Sequence, residues 1–244
     1  MNRMLFGLLA LFIATSGAAQ SVFEEIDGLL VIELESASPL PGNWIAGPAG
    51  NPTSPNINDP SDFTGRGFIV WEGQQFLNNP GNGEIVFMVM INNPGTYRFQ
   101  WRNQVGQGTN TTDHNDTWLK IDADSFFAQR NASIVCPKGL DPLANGCVGG
   151  EPNGSGSDGW FKAYSSGANN WSFSTRTSDN DAHNIFAQFD QADIYTVRLS
   201  ARSSSHVIDR LVLSRDDYAG DPTDLTLPES PQIRLDALFL DGFE

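Results

Sequence analysis

Apolar and polar residues alternate along much of this chain with a period of two, the spacing of a strand that buries one face. The clearest run is Gly95 to Val105, where Tyr97, Phe99, Trp101 and Asn103 alternate with Arg98, Gln100 and Arg102. A polar loop, Gly106 to Asn115, follows it, and then Leu119 and Ile121 alternate with Trp118, Lys120 and Asp122. The pattern predicts two sheet strands joined by a long loop, and a polar loop held on a rigid sheet is a common place for a binding site. The same reading predicts strands at Leu29 to Ser36, Gly67 to Trp71, Glu84 to Ile91, Trp160 to Tyr164, Trp171 to Thr175, Asn184 to Phe189, Ile194 to Ser200 and Val207 to Ser214. In the first of these, Ile32 and Leu34 take one face and Glu33 and Glu35 the other. Pro39 to Pro60 reads as a Pro/Gly/Asn loop around Trp44, and Ala128 to Asp158 as an insertion without periodicity. No amphipathic helix is predicted. Many short strands with Gly/Pro turns specify an all-β fold, a two-sheet β-sandwich of jelly-roll type.

The two ends depart from this pattern. Asn2 and Arg3 precede an apolar run from Met4 to Ala14 and small residues from Thr15 to Ala19. That is the layout of an export signal, assigned to residues 1–19, with cleavage after Ala19 or Gln20. The run is too short to cross a bilayer, and no other stretch predicts a membrane span. The expected address of the mature protein is therefore extracellular or periplasmic. The sandwich is expected over residues 22–215, with an acidic tail over 216–244 that closes on an apolar stretch, Leu235 to Phe243. This apolar ending is a candidate either to dock on the sandwich or to serve as a contact for partner or sorting machinery; the final Asp241-Gly242-Phe243-Glu244 resembles the endings of many exported proteins of Gram-negative bacteria.

Charge narrows the partners. A formal net charge of -15 over 244 residues disfavours nucleic acid and anionic membranes. It suits metal cations, neutral sugars or a basic partner. The only two cysteines, Cys136 and Cys147, lie in one Pro/Gly-rich segment. In an oxidising compartment such a pair reads as a disulfide; the competing zinc reading lacks His or Cys partners nearby in sequence.

A run of motifs in fixed order now carries a resemblance: Ile32-Glu33-Leu34-Glu35-Ser36, Gly67 to Gly73, Gly95 to Arg102, His114 to Trp118, Trp160 to Tyr164, and His206-Val207-Ile208-Asp209-Arg210-Leu211. This order resembles the carbohydrate-binding modules of families 6 and 35 and the related malectin-like domains, over roughly Phe23 to Ser214. The resemblance implies a galactose-binding-type jelly roll. It also implies a structural calcium, with the family's carboxylates falling on Glu33, Glu35 and Asp209. Calcium takes several hard oxygens, and carboxylates of the first and last strands can converge at a sheet edge. Read without the resemblance, Glu33 and Glu35 are a solvated strand face and Asp209 pairs with Arg210 or Arg202.

Sugar recognition in such modules uses aromatic faces against the ring and polar groups on the hydroxyls. The candidates implied here are Trp71, Trp160 and Trp171 for stacking, and Asn115, Asp116 and His206 for the hydroxyls. Trp101, in phase with Tyr97 and Phe99, is assigned to the core. No catalytic residues are expected. The chain has no Gly-x-Ser-x-Gly elbow and no His-Glu-x-x-His helix, and nothing in the spacing of its carboxylates selects a glycosidase pair. The expected function is a secreted, non-catalytic binder of a polysaccharide. The alternatives are an exported structural or adhesive sandwich binding a protein partner, and a polysaccharide-degrading enzyme.

Overall fold

A computed structural model of the protein describes residues 21–37, 39–47, 61–141, 145–147, 151–153, 156–165 and 169–234. The predicted export signal and the apolar end of the tail lie outside them. The described strands, in chain order, are β1 (Ser21–Glu24), β2 (Leu29–Glu33), β3 (Trp44–Gly47), β4 (Phe68–Trp71), β5 (Ile85–Ile91), β6 (Gly95–Val105), β7 (Asp116–Asp122), β8 (Ser125–Arg130) and β9 (Ser133–Pro137). They continue with β10 (Glu151–Asn153), β11 (Gly156–Ser157), β12 (Trp160–Ser165), β13 (Thr175–Arg176), β14 (Asn184–Phe189), β15 (Asp193–Ser200), β16 (His206–Arg215) and β17 (Gln232–Arg234).

They form two sheets packed as a β-sandwich. The first runs β11-β12-β7-β15-β5-β1-β17, with β13 beside β12; the second runs β10-β9-β8-β14-β6-β16-β4-β3, with β2 beside β16. Pairing is antiparallel except for β1 with β5 and β9 with β10. The core is the inward half of each alternation. Ile85, Phe87, Val89 and Ile91 of β5 meet Tyr97, Phe99 and Trp101 of β6 in one cluster. Trp101 has no exposed surface, as its phase predicts. Among the described residues no helix is long and apolar enough to cross a membrane.

Five expectations are corrected. The reading of Pro39 to Pro60 as a loop missed β3, Trp44–Gly47, which pairs antiparallel with β4. The strand at Leu29 ends at Glu33, and Leu34–Ser36 is a 3-10 turn, so Glu33 and Glu35 do not share a strand face. Trp171 to Thr175 is not a strand: Ser172 makes an isolated bridge to Asn103, and only Thr175–Arg176 pairs with β12. Ala128 to Asp158 carries strand structure that its lack of periodicity hid, namely the end of β8 and all of β9, β10 and β11. The cysteines of this segment are joined, Cys136 to Cys147, with the Cα atoms 6.3 Å apart. The first part of the tail, finally, belongs to the sandwich. Ser230 donates its amide to Val31 O and its Oγ accepts from Val31 N; β17 then pairs with β1 and extends the first sheet.

One irregularity places charged groups. β16 shifts register against β6 between Ile208 and Leu211. The same edge of β16 pairs with β4 through Val207 and Ile208, and with β2 from Arg210 onward. A bulge of this kind bends a strand and re-aims the side chains within it. Asp209 and Arg210 sit in it, which lets two adjacent residues serve one cluster.

Candidate functional site

The three predicted metal carboxylates each bond to the chain that returns at Thr64 to Arg66. Asp209, fully buried, accepts from the Thr64 amide at 3.0 Å on each oxygen and pairs with Arg102 at 2.5 Å. Glu33 pairs with Arg210 and lies 2.9 Å from the Thr64 hydroxyl. Glu35 Oε1 accepts the Arg66 amide at 2.6 Å, while its Oε2 is buried without a hydrogen-bond partner. Gly65, at φ +58°, presses its backbone onto these groups; a Cβ there would lie 2.5 Å from Glu35 Oε1. Burial raises the Glu33 carboxyl above its ordinary value, against the pull of Arg210. Burial also raises Glu35, and the charges of Glu33 and Asp209 add to the rise. Leu227, Pro228 and Glu229 of the tail wall the adjoining cavity of 320 Å³. The partner of Asp209 is thus Arg102, which is distant in sequence; neither Arg210 nor Arg202 takes that place. Among the described residues no three acidic, His or Cys side chains are gathered closely enough to hold a metal ion as they stand. Arg102 and Arg210 neutralise Asp209 and Glu33, and Glu35 Oε2 is the one carboxylate oxygen of the three residues buried without a hydrogen-bond partner, the feature that accords with an oxygen-ligated cation.

Of the six residues predicted to bind sugar, Trp71, Asn115, Asp116, Trp160 and His206 are buried and only Trp171 is partly exposed. His206 has no exposed surface. It lies edge-on to the Trp101 ring at 5.5 Å, with Nε2 3.0 Å from Asn103 Oδ1 and Nδ1 2.8 Å from Thr117 Oγ1. The carbonyl of Asn103 accepts from Nε2–H, which leaves Nδ1 to accept from Thr117. His206 therefore ties β16 to β7 inside the sandwich and is out of reach of a surface ligand. Trp71, at 5% exposure, packs edge-on to Trp44 and against Phe76, and Trp160 is buried at 7%. Both rings fill space where the stacking assignment needs an open face. Trp171 alone among the six tryptophans is not buried. It lies beside Phe68, with the Arg102 guanidinium 4.9 Å from its ring centre and its Nε1–H bonded to Ser61 O.

Asn115 and Asp116 reach a different place, the outer face of the first sheet. On β12 the core takes Phe161 and Ala163, which turns Lys162 and Tyr164 outward. In register, Lys162 lies opposite Trp118, and Tyr164 opposite Asp116. The Asp116 carboxylate accepts from Arg202 and Ser203, and Lys162 Nζ stands 3.8 Å from it. Lys162 also pairs with Asp179 at 2.7 Å and lies 5.5 Å from the centre of the Tyr164 ring. Asn115 donates to Thr111 O and Ser165 O, fixing the end of the long loop to β12.

Two cavities flank this row and share Lys162 and Asp179. One, of 430 Å³, is lined by Thr111, Thr112, Asn115, Tyr164, Ser165 and Asn180. The other, of 420 Å³, is lined by Trp118, Lys138, Ser157, Asp158 and Arg202, among others. Its far wall, Lys138, stands two residues beyond the disulfide-bonded Cys136. Lys162, Tyr164, Asp179 and Arg202 were not picked out by the sequence reading. The alternation of Phe161 and Ala163 with Lys162 and Tyr164 carried the signal for the first two.

No protein-family model matches the chain. A search of curated proteins finds no match. The solved structures it is similar to include a GH26-CBM35 β-(1,4)-mannanase of Podospora anserina, at 12% identity and a TM-score of 0.42. That match covers 81% of this chain and 29% of the mannanase chain, so the chain spans under a third of that protein's length. No residue role is carried over from it.

The burial of His206 has a measurable consequence. Desolvation lowers its pKa from 6.5 to about 3, only partly opposed by Asp116. Below pH 6.5 the unfolded chain takes up a proton at this site that the folded chain refuses, so stability falls as the pH drops through the window from 6.5 to 3. Between pH 7 and pH 5 the loss from this residue is about 2 kcal/mol. Glu33 and Glu35, raised by burial, act with the opposite sign, because the folded state holds their protons more tightly. The difference between the parent and His206→Gln cancels them. Urea melts at both pH values should show the parent losing about 2 kcal/mol more than the variant. Equal losses would mean that the imidazole is hydrated in solution.

Proposed function

We propose that this protein is an exported, non-catalytic glycan-binding module whose ligand lies in the groove on the outer face of the first sheet. The observation that carries the reading is that two adjoining cavities share Lys162 and Asp179, with Tyr164 in the wall of one and Arg202 in the wall of the other and the buried Asp116 paired to Arg202: an aromatic ring beside polar groups of both signs, each fixed by its neighbours. A sugar ring needs apolar area for its C–H face and preset donors and acceptors for its hydroxyls. Of the three carboxylates at the groove, Asp116 pairs with Arg202 and Asp179 with Lys162, and Asp158 accepts from the Ser157 hydroxyl; a single unpaired carboxylate is not the two-carboxylate arrangement of a glycosidase, which favours binding over acid–base chemistry. The disulfide and the lack, among the described residues, of a membrane-spanning helix accord with an extracellular or periplasmic address. A structural calcium held by Glu33, Glu35 and Asp209 belongs to the same reading, supported by the unpartnered Glu35 Oε2.

A shallow site of this kind binds at roughly micromolar to millimolar Kd. Calorimetry against neutral plant, algal and microbial polysaccharides is the test. Tyr164→Ala is expected to cost about 1 to 3 kcal/mol of binding free energy. Lys162→Met should weaken binding as well, while Trp171→Ala leaves it unchanged. A parent that binds no glycan, or a Tyr164→Ala variant that binds as the parent does, removes this groove as the site. Release of reducing ends by the parent would replace binding with catalysis.

A further inference from the structure

Strand alternation gives the first sheet an apolar outer stripe next to the polar groove. Val86, Met88 and Met90 of β5 point away from the core that takes Ile85, Phe87, Val89 and Ile91. Register puts Ile194 opposite Met90 and Val22 opposite Met88, and Ile233 of the edge strand β17 lies opposite Val22. Val22 stands outside the core cluster and yet has no exposed surface. A side chain on an open sheet face keeps some exposure unless something lies over it, and its neighbours Met88 and Ile233 are themselves only half-buried.

We propose that the end of the chain, residues 235–244, docks across this stripe. It leaves β17 at Arg234, which pairs with Ser21 next to Val22, so its tether begins at the edge of the stripe. Ten residues extend up to about 33 Å. Crossing β1, β5 and β15 takes only about 15 Å at the spacing of paired strands. The chemistry of the segment matches the face. Leu235, Leu238, Phe239, Leu240 and Phe243 supply apolar side chains, and Asp236, Asp241 and Glu244 supply negative charge. Beyond the stripe Lys120 lies directly opposite Arg198, whose charge Glu84 and Asp122 already balance, so Lys120 is the cation there that an acidic segment can meet. Docked in this way, the tail is shielded from any partner until that partner lifts it off the sheet.

Met88 and Met90 are natural reporters, since the only other two of the four methionines are Met1 and Met4. The chain from Ser21 to Glu244 is compared with one ending at Arg234, and with full-length Leu238→Asp/Phe239→Asp, by peroxide footprinting and size-exclusion chromatography. The substituted chain keeps its length and serves if truncation impairs folding. The expected result is slow oxidation of Met88 and Met90 in the monomeric full chain and several-fold faster oxidation in both altered chains. Equal rates in all three overturn the proposal. So does protection that rises with protein concentration, which would make a second copy the occupant.

Discussion

Glu25→Ala is expected to lower the unfolding free energy by about 3 kcal/mol, one of the two largest single-residue effects in the molecule. Glu25 has no exposed surface. Its Oε2 accepts the amides of Asn92 and Asn93 at 2.9 Å each, and its Oε1 accepts the Gly28 amide and, at 3.1 Å, the Asn93 side chain. One carboxylate thus joins the turn before β2 to the turn between β5 and β6. The first turn depends on left-handed backbone at Asp27 and Gly28, with φ of 52° and 87°. Alanine leaves these donors without an acceptor, and an unsatisfied buried donor costs about 1–3 kcal/mol. Glu25→Gln keeps the shape but turns an amide NH2 toward N–H donors, so it recovers only part of the loss. Urea denaturation reads the effect as a lower midpoint with an unchanged slope. A midpoint shift worth less than about 0.5 kcal/mol would show that water replaces the carboxylate. The turns lie on no wall of the proposed glycan groove, so any binding there by the folded variant should match the parent.

Glu25 also shows where sequence reading stops. The two-residue period of β5, β6, β7, β15 and β16 is visible because each has one apolar face, and it yields the sandwich and most of its core. Partnership between distant charged residues has no period. Glu25 with Asn92 and Asn93, Asp209 with Arg102, and Asp116 with Arg202 each join positions that only the folded topology brings together. The tryptophans mislead for a related reason. An aromatic ring serves core and ligand equally well, and the sequence around Trp71 and Trp160 does not reveal that both residues are buried. At His206 the alternation could have warned that an imidazole inside an apolar strand faces inward. Near Cys136 the strands are short and lie at the sheet edge, where pairing holds them with little apolar contrast.

The groove and the carboxylate cluster are physically separate, which makes their tests independent. The groove is built on the outward residues of β7 and β12, and the cluster on the bulge of β16 with β2 and Thr64. Glycan affinity should therefore respond to Tyr164 and Lys162, and thermal stability to Glu33, Glu35 and Asp209. A calcium effect on stability without an effect on affinity is the pattern expected of a structural ion.

Asp209→Asn is expected to cost about 3–5 kcal/mol of stability, because it removes one partner of a buried ion pair and leaves the other uncompensated. The Asp209 side chain is 0% exposed and that of Arg102 is 7% exposed. Both Asp209 oxygens also accept the Thr64 amide, so the residue anchors the returning loop as well as the arginine. Arg102→Met leaves Asp209 with its Thr64 donors and should cost less. In the double variant the two losses should fall short of their sum by about 1–3 kcal/mol, the coupling of neighbours that share an interaction. Strict additivity would show that the pair is hydrated and contributes little. Calcium is then tested on the same proteins. Binding to the native state alone adds about 2.7 kcal/mol at a concentration one hundred times the Kd, so chelation should lower the melting temperature of the parent and added calcium should restore it. Glu35→Gln should abolish that response while leaving the calcium-free melt close to the parent, because burial already disfavours the charged form of Glu35 and its Oε2 has no partner to lose. A parent whose melt ignores both chelator and calcium would remove the ion from the description, and the Asp209–Arg102 result would stand on its own.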